Sequence, residues 1–185
     1  MRVIKYFLIL TIAILGFSFV DVSAQNSSDR NTQSVQNIER KIFKQLINMS
    51  YYGVFDHISY KVDGSTVTLY GKVVNGFNKR NAENIVEDID GVSRVVNQIE
   101  VLPASPFDNS IRYEMLRTFA TRGGSLYRYI QEPRPSIRII VDGGHITLEG
   151  VVNNRSDANL ANILANGVSG VFSVTNNLQI ERENR

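Results

Sequence analysis

Along the chain, apolar positions switch between two periods. Ile38, Ile42, Phe43, Leu46 and Ile47 recur at helical spacing and predict one apolar stripe. Ile58, Tyr60 and Val62 then alternate with polar residues, Asp63-Gly64-Ser65 interrupts, and Val67, Leu69 and Gly71 alternate back. An Asp-Gly between alternating runs predicts a hairpin, because glycine accepts the positive φ of a tight turn. Ala82, Ile85, Val86 and Ile89 return to helical spacing, with Gly91 as the expected left-handed C-cap. A last strand is expected from about Arg94 to Val101. The order is α-β-β-α-β.

The same order then repeats. Ile111, Met115, Leu116, Phe119 and Ala120 form a second helical stripe, preceded by the N-cap candidates Asp108, Asn109 and Ser110. Ile137, Ile139 and Val141, the turn Asp142-Gly143-Gly144, and Ile146 and Leu148 form a second hairpin. Ala161, Leu164, Ala165 and Val168 predict the next helix, ending near Ser169-Gly170, and a strand follows from about Ser173 to Ile180. From the hairpin onward the copies are offset by 79 positions, and about a third of residues 58–101 are identical in the second copy. The first helices are offset by 73, so the second unit carries about six extra residues within Arg122–Tyr129. Gly71 and Gly150, inside strands, predict a bulge or a close approach of a helix. A right-handed β-α-β crossover makes each last strand parallel to the second hairpin strand. The expected fold is α+β: two tandem α-β-β-α-β units, each a small mixed three-stranded sheet with two helices on one face.

The remaining stretches set boundaries. Arg2 and Lys5, the apolar run Tyr6–Val20 and the small-residue pattern Val22-Ser23-Ala24 predict a signal peptide over 1–24, hence export to the periplasm. Residues 25–33 are polar without periodicity and are expected to form a flexible leader. The first unit is assigned to 34–102, a linker with two prolines to 103–107, and the second unit to 108–181. So short a linker should hold the units together or in restricted orientations. After residue 24, eighteen Lys or Arg face seventeen Asp or Glu, which argues against capture of nucleic acid by bulk charge. The absence of cysteine excludes disulfides and thiolate-bound zinc.

The pattern Asp63-Gly64, Val67, Leu69, Gly71, Val73, Gly91-Val92, Val95 and Asn97 resembles the BON domain (bacterial osmotic-shock-inducible and nodulation). Asp142-Gly143, Ile146, Leu148, Gly150, Val152, Gly170-Val171, Val174 and Asn176 match it again. Tandem BON pairs behind a signal peptide resemble hyperosmotically inducible periplasmic proteins. The resemblance implies a non-enzymatic binding module without cofactor, peripheral to the cell envelope, whose partner is phospholipid or an envelope protein. The family has no shared catalytic residue to carry over.

Candidate chemistry is sparse. His57 and His145 occupy non-equivalent places in the two units, and no nucleophile-elbow or phosphate-loop pattern is present. No catalytic or metal site is expected. The second unit instead interleaves arginines with aromatics: Arg112, Tyr113, Arg117, Arg122, Tyr127, Arg128 and Tyr129. Tyrosine suits an apolar boundary with a wet edge, and arginine holds phosphate through several donors. These seven residues are the candidate contact for anionic phospholipid. The bland alternative for these residues is that the aromatics complete the core and the arginines form a solvated face; the competing function is a protein-interaction or assembly module of an envelope complex.

Overall fold

The computed structural model describes residues 22–131 and 134–181. The first unit comprises helix α1 (Val22–Leu46), strands β1 (His57–Asp63) and β2 (Thr66–Val73), helix α2 (Gly76–Glu87), and strands β3 (Arg94–Asn97) and β4 (Glu100–Val101). The second comprises α3 (Pro106–Thr121), a 3-10 helix η1 (Gly124–Tyr129), β5 (Ile137–Asp142), β6 (His145–Val152), α4 (Arg155–Asn166), β7 (Ser173–Asn176) and β8 (Gln179–Ile180). β1 pairs antiparallel with β2, and β3 and β4 pair parallel with β2. β5 to β8 repeat that arrangement around β6. The two-unit α+β architecture is the one the alternating periods predict.

Each last strand is broken, so each sheet holds two short pieces where one strand is expected. Asn97 causes the break in the first unit. Its Oδ1 accepts from Ile99 N at 3.1 Å, and its Nδ2 donates to Lys79 O on α2 at 3.0 Å. Asn176 makes the same pair of bonds with Leu178 N and Ala158 O. The chain wraps round its own side chain, tied to the helix, and then rejoins β2 or β6.

The strand glycines also have a specific cause. Gly71 sits at φ 117° and Gly150 at φ 119°. A Cβ at either would run into a backbone carbonyl oxygen, that of His57 or Ser136. The close neighbour is the antiparallel strand and its lead-in, not a helix. Gly91 and Gly170 do take positive φ, but three or more residues beyond the ends of α2 and α4.

Two helix starts differ from expectation. α1 extends through 25–33, the stretch whose composition marks it as a leader. No proline or glycine lies between residues 22 and 46, so the helix that buries Ile38, Ile42 and Leu46 meets no breaker on its N-terminal side. Residues 1–21, most of the segment read as a signal peptide, lie outside the described residues. α3 is capped by Ser105, whose Oγ accepts from Asp108 N at 3.1 Å, with Pro106 at its first turn. Asp108 is instead buried, and its carboxylate accepts from Gly143 N and Gly144 N, pinning the second hairpin turn to α3.

The first core gathers Ile42, Val67, Leu69, Val73, Ala82, Val86 and Ile99. The second gathers Met115, Phe119, Leu126, Ile137, Ile139, Leu148, Ala161 and Ala165, and also takes in Val54 from the first unit. The units therefore interlock. Ile139 N donates to Val54 O at 2.7 Å, and Arg138 Nη1 donates to Gly53 O at 2.7 Å. The Arg138 guanidinium lies 4.3 Å from the centre of the Tyr52 ring. Lys72 Nζ reaches Asp142 Oδ2 at 2.5 Å. Arg138 and Ile140, on the side of β5 away from the second core, are both buried. No helix among the described residues is long and apolar enough to cross a membrane.

Candidate envelope-binding surface

α3, its C-cap Arg122 and η1 carry the seven candidate residues, and their geometry divides them. Arg112 points inward and is 4% exposed. Its guanidinium donates to Val141 O at 2.6 Å and to Asn109 Oδ1 at 2.7 Å, tying α3 to β5. Burial lowers its pKa, against the pull of nearby Asp108 and Asp142. Tyr129 is also buried. Its hydroxyl donates to Asp157 Oδ2 at 2.6 Å and accepts from Asn153 N at 3.0 Å. These two residues are corrected from surface contacts to interior ones. Helical spacing shows which side of a helix is apolar, but a buried polar side chain depends on acceptors supplied by distant strands.

The other five are exposed. Tyr113 stands 68% exposed, edge-on to Phe55 with ring centres 6.1 Å apart. Arg117 holds Glu114 through two nitrogens at 2.9 and 3.0 Å. That bond holds the Glu114 carboxyl below its usual range, and the charges of Arg117 and Arg122 add to the effect. Arg122 follows at the C-terminal end of α3. Tyr127 is 51% exposed on η1, beside Arg128.

Arg128 belongs to a polar knot around Asp157. Its Nη2 donates to Asp157 Oδ2 at 3.0 Å and to Tyr129 Oη at 2.8 Å. Ser125 Oγ and Asn154 Nδ2 also donate to the carboxylate, and Asp157 N donates to Asn154 Oδ1, the cap of α4. Burial alone would raise the Asp157 pKa, but the donors Ser125, Tyr129 and Arg128 prevail and hold the carboxyl below its usual range. Asp157 is a functional residue that the apolar periodicity does not mark. Its only sequence signal is Asn154 three positions before it, at the start of the predicted helix.

The extra residues of the second unit thus build η1, which drops Leu126 into the core and ties its polar end to α4. What stays outside is Tyr113 with Arg117 and Arg122 along α3, and Tyr127 with Arg128 on η1. Exposed ion pairs such as Arg117–Glu114 exchange readily, because solvent screens them. Among the described residues, no cluster of three or more His, Asp or Glu is placed to hold a metal ion.

Two solved structures align over 80% of the chain. Both are of CdsD, a structural protein of the type III secretion system of Chlamydia trachomatis. The C-terminal domain aligns at 10% identity and a TM-score of 0.31, with 97% of that chain covered. The other aligns at 12% identity and 0.28, with 94% covered. At such scores neither bears on what this chain does. No curated protein matches it. The BON domain pattern, by contrast, matches residues 34–103 and 128–182. BON domains are envelope-associated, non-catalytic binding modules. The two segments coincide with the two repeated sheets, and the chain belongs to the BON domain family as a tandem pair of its units.

Proposed function

We propose that the protein is a non-enzymatic periplasmic envelope-binding module. In this reading the exposed side of α3 and η1 contacts anionic phospholipid. One observation carries it: Tyr113, Arg117, Arg122, Tyr127 and Arg128 are all exposed, on α3, at its C-terminal end and on η1. Tyrosine places an apolar ring at a headgroup boundary while its hydroxyl stays wet. Arginine exchanges a screened surface carboxylate for a phosphate with two parallel hydrogen bonds.

Flotation with phosphatidylglycerol vesicles tests the reading. Arg117→Glu combined with Arg122→Glu should weaken binding by more than about tenfold and flatten its salt dependence. Reversing the exposed Lys61 and Arg94 in the first unit should change binding far less. Equal losses from both pairs, or no binding by the unmodified protein, would favour an assembly module that recognises protein.

A further inference from the structure

A cleft of about 330 Å³ opens where the two units meet. α1 contributes Phe43 and the turn after it Ile47 from the first unit, and β6 contributes Val151 from the second. Phe43 belongs to the apolar stripe of α1 yet is 57% exposed, and Val151 is 41% exposed. Single exposed apolar residues are common on protein surfaces. Here two separate units contribute them to the lining of one concavity. A mainly apolar cleft at a domain junction is the usual setting of a small-molecule site.

The same cleft is lined by Arg134 and Arg138. Arg138 is 8% exposed, and its observed contacts are the Gly53 carbonyl and the Tyr52 ring. Arg134 donates to Asn48 Oδ1 at 2.6 Å. Among the described residues, neither guanidinium has a carboxylate oxygen within 4.0 Å, whereas Arg117 and Arg128 each have one. The nearby carboxylates are otherwise engaged. Asp56 accepts from Gly53 N, Val74 N and Asn78 Nδ2, and Glu149 accepts from Asn177 Nδ2. Asp56 attracts Arg138 without bonding to it, so an arriving anion would supply the direct charge-assisted hydrogen bonds that this buried guanidinium lacks among the described residues.

We propose that this cleft binds a single-chain anionic amphipath, a fatty-acid carboxylate. The chain would lie against Phe43, Ile47 and Val151, and the carboxylate would meet Arg134 and Arg138. The cleft is at the small end of the roughly 300–1,000 Å³ range of ligand sites, which suits one chain better than two. It is a second site, separate from the α3–η1 face.

Titration calorimetry with dodecanoate below its micelle concentration tests the assignment, with dodecyltrimethylammonium as a cation of equal chain length. Dodecanoate should bind once per chain, and the cation at least about tenfold more weakly. Arg134→Glu, at an exposed position, should weaken dodecanoate at least about tenfold. Phe43→Ser should weaken it without altering the preference for the anion. Both variants should keep wild-type vesicle flotation, so loss of either activity is separable from loss of the other. Absence of saturable dodecanoate binding, equal binding of the two surfactants, or unchanged affinity in both variants would overturn the proposal.

Discussion

Asp157 concentrates the polar chemistry of the second unit in one carboxylate that accepts from four side chains. Its folded pKa lies below the ordinary value, so its stabilisation is fully present above the unfolded pKa of about 3.9 and is lost as pH falls through the folded value. Asp157→Asn should therefore cost about 1.5–3 kcal/mol near neutral pH and flatten the acid limb of the stability profile. Urea titrations between pH 2 and pH 7 would show it. A profile that loses height but keeps its acid slope would place the titrating carboxylate elsewhere. At this scale the repeated residues were legible. Gly71, Gly150, Asn97 and Asn176 recur because the same steric and hydrogen-bonding demand recurs. Arg112 and Tyr129 were not, since burying a guanidinium or phenol requires partners that no local spacing reveals.

At the scale of elements, the sequence periods located every helix and hairpin in the repeated regions. They did not foresee that the extra residues of the second unit fold inward. Leu126 on η1 is fully buried against Phe119 and its neighbours. Leu126→Ala should destabilise the second unit by about 2–5 kcal/mol, measured by chemical denaturation. An effect under about 0.5 kcal/mol would mean that η1 is a surface loop rather than part of the core. The insertion was hard to read because Gly123-Gly124 suggests a loop, and only one residue in the following turn is a fully buried aliphatic. α1 shows the opposite difficulty: polar composition at 25–33 argues for a leader, but nothing in that stretch breaks a helix already anchored downstream.

For the whole molecule, the linker's shortness foretold restricted orientations but not the means. Val54 joins the core of the second unit, and its carbonyl accepts from Ile139 on β5. Unfolding of residues 25–185 is expected to be one cooperative transition. A fragment beginning at Ser105 should fold but melt below it, because it lacks Val54 and the cover over Arg138 and Ile140. Calorimetry on both decides the matter, and identical melting temperatures would show that the junction contributes nothing. The interlock was not legible in the sequence, since Val54 lies in an irregular segment whose partners are 85 residues away, as Gly53 and Arg138 illustrate.

The junction also has a symmetry. The first unit offers its segment after α1, and the second offers β5, so duplicated units meet through unlike surfaces. Such a head-to-tail contact is not self-complementary; repeated, it would close into a ring or run on as a filament, depending on the rotation between neighbours. The two copies differ at the residues that make this contact. Counting back 79 positions, Arg138 becomes Ser59 and Ile139 becomes Tyr60, so the first unit does not present the surface that a preceding copy would need. The substitutions that make the two halves differ are therefore also the ones that give the junction its direction: one copy is built to receive and the other to be received.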